Sequence, residues 1–371
     1  MKTIVSEKQQ FVYIIKVSAF FWLVTKIWSY KTWIADRTYP VIPTFDIFRY
    51  VPDSVHLVLF GLSLFSLLLI IILKKNRSLL ILLFVSEFIS CLLDTVRWQP
   101  WEYMYLCMLL VVIINFLKPK NALFLFHLFL VAMYLFSGLH KLNRDFLSVF
   151  WMNAVLRNFF GLPLECILKF KLFFVGLLIP VIEIILAVSL LLSKSKRKIS
   201  FFLILMHIFI LILIGPLGLD YNSVVWFWNF LLIFILFLLY VLPMENPDHT
   251  MVLKNSYWIV LWFLMPVFSF FGSWYQYFSF NLYSGKGYQM YICIHQQNNQ
   301  LKPFFEPENN ELCGDQPSIN LQNWAMSEIK SAPNPELEVY RKIGVFLKKK
   351  YGKQNIKIFL HHPKTNKIEE L

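Results

Sequence analysis

Nine apolar stretches separated by short polar breaks run along the chain, at residues 11–29, 54–74, 78–95, 101–117, 121–141, 170–192, 199–216, 222–242 and 256–272. Each is close to the roughly 17 to 25 residues that carry a helix across the hydrocarbon core of a bilayer. The first is interrupted by Lys16 and Lys26, so it either crosses or lies in the interface. It has neither the continuous apolar core nor the small-residue cleavage site of a signal peptide, and is expected to be retained. After residue 272 the pattern changes. "GYQMYICI" (Gly287 to Ile294) and "NIKIFLHH" (Asn355 to His362) have the β-branched and aromatic content of strands. "NPELEVYRKIGVFLKKKYG" between them predicts a helix, with Asn334 as cap, Pro335 in the first turn and Gly352 past the end. The expected fold is a polytopic α-helical membrane protein of eight or nine transmembrane helices (residues 1–272) carrying a small extramembrane α+β domain (residues 273–371).

Composition excludes a soluble alternative: 58% of residues are hydrophobic, 18% aromatic and only 15% charged. The net charge of +13 does not point to nucleic acid, because only +3 of it lies beyond residue 272. The rest sits in short loops, where cations meet anionic lipid head groups and set orientation. With the N-terminus cytoplasmic, the inner loops collect Lys2, Lys8, Lys74, Lys75, Arg77, Lys118, Lys120, Lys194, Lys196, Arg197, Lys198 and Lys254. The outer loops hold a smaller set, in which Lys141, Arg144, Arg157, Lys169 and Lys171 are the main dissenters. Nine crossings then place the C-terminal domain outside the cell membrane, on the side of Lys141.

Cys91, Cys107 and Cys166 fall in or beside apolar segments and read as small apolar residues. Cys293 and Cys313 both lie in the outer domain, where a disulfide forms if that side is oxidising. No Cys/His spacing suggests a metal.

Ionisable groups inside a membrane segment each call for a reason. On the fifth segment His127, Tyr134 and Lys141 recur every seven residues and share one face, with Ser137 and Gly138 between them. A lysine at the membrane edge of such a stripe, stripped of water, is a freer base. Equally, it is a helix-end lysine snorkelling to the interface and paired with Asp145, four residues on. On the third segment Glu87, Cys91 and Asp94 share a face that leads into Trp98, Trp101 and Glu102, either an aromatic belt with an Asp94–Arg97 pair or one wall of a pocket. Glu183 and His207 lie midway along the sixth and seventh segments, and a contact between them would satisfy both. "GPLGLDYNSVVWFWN" (Gly215 to Asn229) adds Asp220, Asn222 and Trp226 at the same outer face.

Taken in order, these residues resemble a known family. "YLFSGLHKLNRDFL" (Tyr134 to Leu147), "IEIILAVSLLL" with Glu183, His207 ahead of "GPLG", and "RWQPWEY" are similar to the membrane motifs of the vitamin K-dependent gamma-carboxylase family and its bacterial relatives, the horizontally transferred transmembrane (HTTM) proteins. The likeness runs over about residues 10 to 240. It implies a bacterial inner-membrane protein in which Lys141 is the base that deprotonates a reduced quinone, the implied cofactor. His127 and Tyr134 would flank that base. Where the carboxylases carry an Asn-Asn-His stretch this chain has "WQPWEYMY", and its soluble domain is far shorter. The expectation is therefore a quinone or other isoprenoid ligand rather than glutamate carboxylation, in a pocket of Trp98, Trp101, Glu102, Glu183, His207, Asp220, Asn222 and Trp226. The alternative is a non-catalytic membrane protein that binds, matures or protects against a secreted peptide through its outer domain. A redox accessory that recharges thiols lacks the CxxC it would use. Membrane lipids are the other expected partners.

Overall fold

The computed structural model describes residues 6–73, 75–241, 249–285, 287–296, 298–307, 311–362 and 367–371. Lys2 and Lys74 of the inner-loop set, and the end of the eighth apolar segment at Leu242, lie outside them. The chain is mostly helical, and its apolar stretches form α1 (Glu7–Trp28), α2 (Asp53–Ile72), α3 (Arg77–Leu93), α4 (Pro100–Ile114), α5 (Pro119–Lys141), α6 (Leu178–Leu192), α7 (Lys196–Ile214) and α8 (Val224–Leu236). Among the described residues, five helices are long and apolar enough to cross a membrane: α1, α2, α5, α7 and the continuous stretch Leu172–Leu192 that ends in α6. Pro100–Ile114, Val224–Tyr240 and Ser256–Phe271 are shorter apolar helices. Such helices suit a membrane protein, because a bilayer leaves no water to satisfy exposed backbone groups and helices satisfy their own.

Two compact units divide the chain, and both are discontinuous. The helical unit comprises residues 1–25, 64–85 and 100–285. Helix α5 is the most enclosed of the five, with 83% of its most hydrophobic stretch buried. Helix α6 packs directly along α5 at Gly138, where an added Cβ would stand 2.7 Å from Ile184 Cγ1 and 3.0 Å from the Pro180 carbonyl oxygen. Helices α6 and α7 are in contrast 28% buried and turn Ile185, Leu192, Phe201 and Phe202 outward. An outward apolar surface of this extent suits a membrane or a protein partner rather than water.

The second unit comprises residues 26–63, 86–99 and 286–371. Its sheet has the order β2-β1-β3-β4 and is antiparallel throughout, with β1 (Gln289–Ile294), β2 (Ser318–Asn320), β3 (Ile356–His362) and β4 (Lys367–Glu370). Ile292 sits opposite Ile319 on one side and Ile358 on the other, so one β-branched ladder crosses the centre of the sheet. Helix α9 (Leu321–Glu328) is capped by Asn320, whose side chain accepts from the Gln322 and Asn323 amides. Helix α10 (Leu337–Tyr351) lays Val339, Tyr340, Ile343 and Leu347 on the core. It starts two residues later than its sequence suggests. Asn334 instead donates to the Thr95 carbonyl and accepts from the Glu336 amide, leaving Glu336 at the cap position. Cys293 and Cys313 are joined in a disulfide.

This core also takes in Tyr39, Ile42 and Val96, from chain that reads as loops between membrane segments. Around them lies a cluster of fully buried charges. Arg97 donates to the carbonyls of Thr32, Trp33 and Ser90 and to the Ser90 hydroxyl, and it meets His56 Nδ1 at 2.8 Å. Burial pulls its guanidinium down to about 10, opposed by the Asp94 carboxylate, so it remains charged at neutral pH. Asp94 is held by Arg37 at 2.5 Å. Lys26 lies 2.7 Å from Glu87 and 3.0 Å from the centre of the Trp33 ring.

Candidate functional site

Helix α5 presents Tyr134, Ser137 and Lys141 along one stripe, and the register with α6 brings Glu183 opposite its end. Lys141 Nζ donates to Ser137 Oγ, one turn before it, and to Glu183 Oε2, both at 2.7 Å. The two side chains keep 12% and 6% of their exposure. The carboxylate at Lys141 is therefore Glu183, from another helix, and not Asp145. The contact expected between Glu183 and His207 does not form either, because His207 is engaged elsewhere.

His207 on α7 sits at the centre of a relay. Asn229 Nδ2 donates to the Val225 carbonyl, which turns its Oδ1 toward His207 Nδ1 at 2.7 Å. Nδ1 therefore carries the proton and Nε2 accepts, and the partner on Nε2, at 2.7 Å, is the Tyr134 hydroxyl. Asn229 thus fixes the imidazole tautomer and, through it, the direction in which the Tyr134 O–H points.

Both constellations line one cavity of about 220 Å³ inside the helical unit. Its walls are apolar, with Ile179, Ile182, Phe209, Ile210 and Trp228 among them, and its polar groups are gathered on Lys141, Ser137, Glu183, Tyr134, His207 and Asn229. Phe280, Leu282 and Tyr283 also line it. Phe280 and Tyr283 hold φ values of 57° and 56°, in the left-handed region that non-glycine residues seldom occupy. Such conformations persist only where the surroundings enforce them, and they gather at ligand sites. Asn222 contributes at one remove by donating to the Tyr283 hydroxyl at 3.0 Å.

Of the residues expected from sequence, Lys141, Tyr134, Glu183 and His207 meet at this cavity. His127 does not line it, its Nδ1 lying 2.8 Å from the Tyr240 hydroxyl. Trp101 is fully buried, and Glu102 accepts from Trp22 Nε1 at 2.8 Å; neither lines this cavity. Trp98 belongs to the other unit and packs edge-on against Phe88. Asp220 is exposed, and Trp226 donates to the Ile214 and Tyr221 carbonyls, pinning its own loop. Asn229 and Tyr283 were missed. The signal for Asn229 was present, since it is a lone amide inside "VVWFWNFLLIF". Among the described residues no group of three or more His, Cys, Asp and Glu side chains could hold a metal ion.

Comparison of the chain with known protein families, curated proteins and solved structures returns no match.

Proposed function

We propose that the chain is a multi-pass membrane protein whose helical unit binds a lipid-soluble hydroxylated ring, with a reduced isoprenoid quinone as the best fit, and accepts its proton at Lys141. The observation that carries this reading is an amine and a carboxylate held together at the wall of an otherwise apolar cavity. A proton-transfer pair in that setting needs no water, and the apolar walls strengthen its electrostatics. The fit is amphipathic: polar groups for ring hydroxyls, apolar walls for the ring, and outward apolar helices beside the tail. A reduced quinone would supply an acidic hydroxyl and, once deprotonated, an electron-rich ring.

Glu183 holds the Lys141 amine at one position, beside which a ring hydroxyl would give up its proton to Lys141 as the base. Tyr134, aimed by His207 and Asn229, offers a second hydrogen-bonding point for the same ring. This is the role that the likeness to the vitamin K-dependent gamma-carboxylase and HTTM proteins assigns to Lys141. We also propose the fuller topology: eight or nine crossings, N-terminus cytoplasmic, C-terminal unit outside. The Cys293–Cys313 disulfide supports that side being an oxidising one.

The test is mass spectrometry of the lipids that stay with the purified protein and with Lys141→Met and Tyr134→Phe. A quinone should accompany the wild type and fall about tenfold in Lys141→Met, the loss for one charge-assisted hydrogen bond. If the wild type retains no isoprenoid, the proton-transfer reading is abandoned, and a non-catalytic role with an external peptide takes its place.

A further inference from the structure

The second unit has a larger and chemically different cavity, of about 580 Å³. Helix α10 supplies one wall, because Lys342, Val345, Phe346 and Lys349 recur at helical spacing on a single face. The segment 35–51 supplies the opposite wall, and the first turn of α2 closes it with Asp53 and His56. Five cations, Arg37, Arg49, Lys342, Lys349 and Lys350, line this cavity against one carboxylate, Asp53.

These cations are not equally committed. Arg37 is spent on Asp94 and on four backbone carbonyls. Arg49 pairs only with the exposed Asp46, and Lys342 with the exposed Glu338, contacts that water largely screens. Lys350 leans on the Phe346 and Tyr351 rings, and Lys349 has no ion pair among the described residues. Tyr39 also lines the cavity, 2% exposed, and its hydroxyl has no hydrogen-bond partner among the described residues. Burial holds that hydroxyl protonated well beyond its usual range. The excess of positive charge along the cavity calls for an anion.

Two further features say what carries the anion. The cavity abuts the start of α2, one of the helices long and apolar enough to cross a membrane, which is the depth at which lipid head groups lie. Beside it, the single turn Asp46–Tyr50 and the residue before it hold Phe45, Ile47 and Tyr50 at 56%, 73% and 89% exposure. A soluble anion has no use for such side chains, whereas a membrane interface accepts them. Val345, Phe346, Pro43 and Val51 give the cavity an apolar flank.

We infer that this cavity is a binding site for the phosphate head group of an anionic phospholipid, docked by Arg49, Lys342, Lys349 and Lys350 while Phe45, Ile47 and Tyr50 enter the interface. The inference rests on the membrane reading but not on any chemistry at Lys141.

Native mass spectrometry of the full-length protein in neutral detergent, with phosphatidylglycerol and phosphatidylcholine at equal concentration, tests it. The wild type should retain phosphatidylglycerol preferentially. Arg49→Gln and Lys349→Gln should each lower that retention about fivefold, and about 25-fold together, with phosphatidylcholine unchanged. Lys349→Arg should restore it. Both side chains are exposed, so neutralising them leaves the core intact. Equal retention of the two lipids, or a preference that survives the double substitution, overturns the site. Displacement of the lipid by excess inorganic phosphate reassigns the cavity to a soluble anion. Displacement by an acidic peptide reassigns it to a protein partner. Either result overturns the lipid proposal. None of these outcomes bears on whether a quinone co-purifies.

Discussion

Two groups of buried charge in this molecule look alike by burial and differ in what surrounds them. In the second unit, Arg97 has every direction occupied, by three backbone carbonyls, a hydroxyl and an imidazole nitrogen, with Asp94 and Arg37 completing the cluster. In the helical unit, Lys141 and Glu183 have each other and one serine, and face open space. The first arrangement holds chain segments together and has nothing left over for a ligand. The second is held only well enough to be positioned. Residual hydrogen-bonding capacity next to a cavity, more than burial or charge, separates a candidate site from a structural knot.

The largest expected effect breaks the knot. Arg97→Ala strips the partner from the Thr32, Trp33 and Ser90 carbonyls together and should cost about 3–5 kcal/mol, a large share of the stability of an ordinary domain. Size-exclusion chromatography should show little monodisperse protein. Arg97→Lys should not rescue it, because one ammonium cannot span the directions that the guanidinium fork reaches. An unchanged elution profile for Arg97→Ala would erase the distinction between the two groups.

The Lys141–Glu183 pair should behave differently. Lys141→Met alone leaves a carboxylate facing an apolar wall and should lower stability by about 1–3 kcal/mol. The double change Lys141→Met/Glu183→Leu removes both charges and should recover most of that loss while ligand retention stays about tenfold below wild type. Thermal midpoints of the two singles and the double close the cycle, with an expected coupling of about 0.5–3 kcal/mol. Additive losses would mean that the two side chains do not act as a pair. The smallest effect sharpens the geometry. Gly138→Ala puts a methyl into the α5–α6 contact and should cost about 1–2 kcal/mol net, overpacking partly offset by better helix propensity. Because the push falls next to Glu183, ligand retention should drop further than the thermal midpoint suggests.

The apolar segments and the strands Gln289–Ile294 and Ile356–His362 were legible because each follows from local periodicity. So was the stripe of α5. Its partner was not. Sequence proximity proposes Asp145 for Lys141, and equal depth in neighbouring segments proposes His207 for Glu183, whereas the register between α5 and α6 decides the pairing and leaves no trace in either helix alone. The composition of the second unit was equally hidden. Thr32 reaches the Ile329 carbonyl and Glu328 accepts from the Thr38 and Tyr39 amides, contacts that use backbone atoms and therefore ask little of residue type. Strands Ser318–Asn320 and Lys367–Glu370 are too short to show an alternation.

That second unit has a consequence for how the protein is made. Its early segments, up to Gln99, emerge from the ribosome long before Glu328, Ile329 and Ala332, to which Tyr39, Thr32 and Gln99 are bonded. At roughly 5 to 20 residues per second, translation of the intervening stretch takes on the order of 10 to 50 seconds. For that interval residues 32–39 wait without their final partners while the helical unit is threaded into place. The contacts that close the unit form near the end of synthesis, so a chain that stops after the last apolar helix would have its helical unit complete and a second unit with no sheet to close upon.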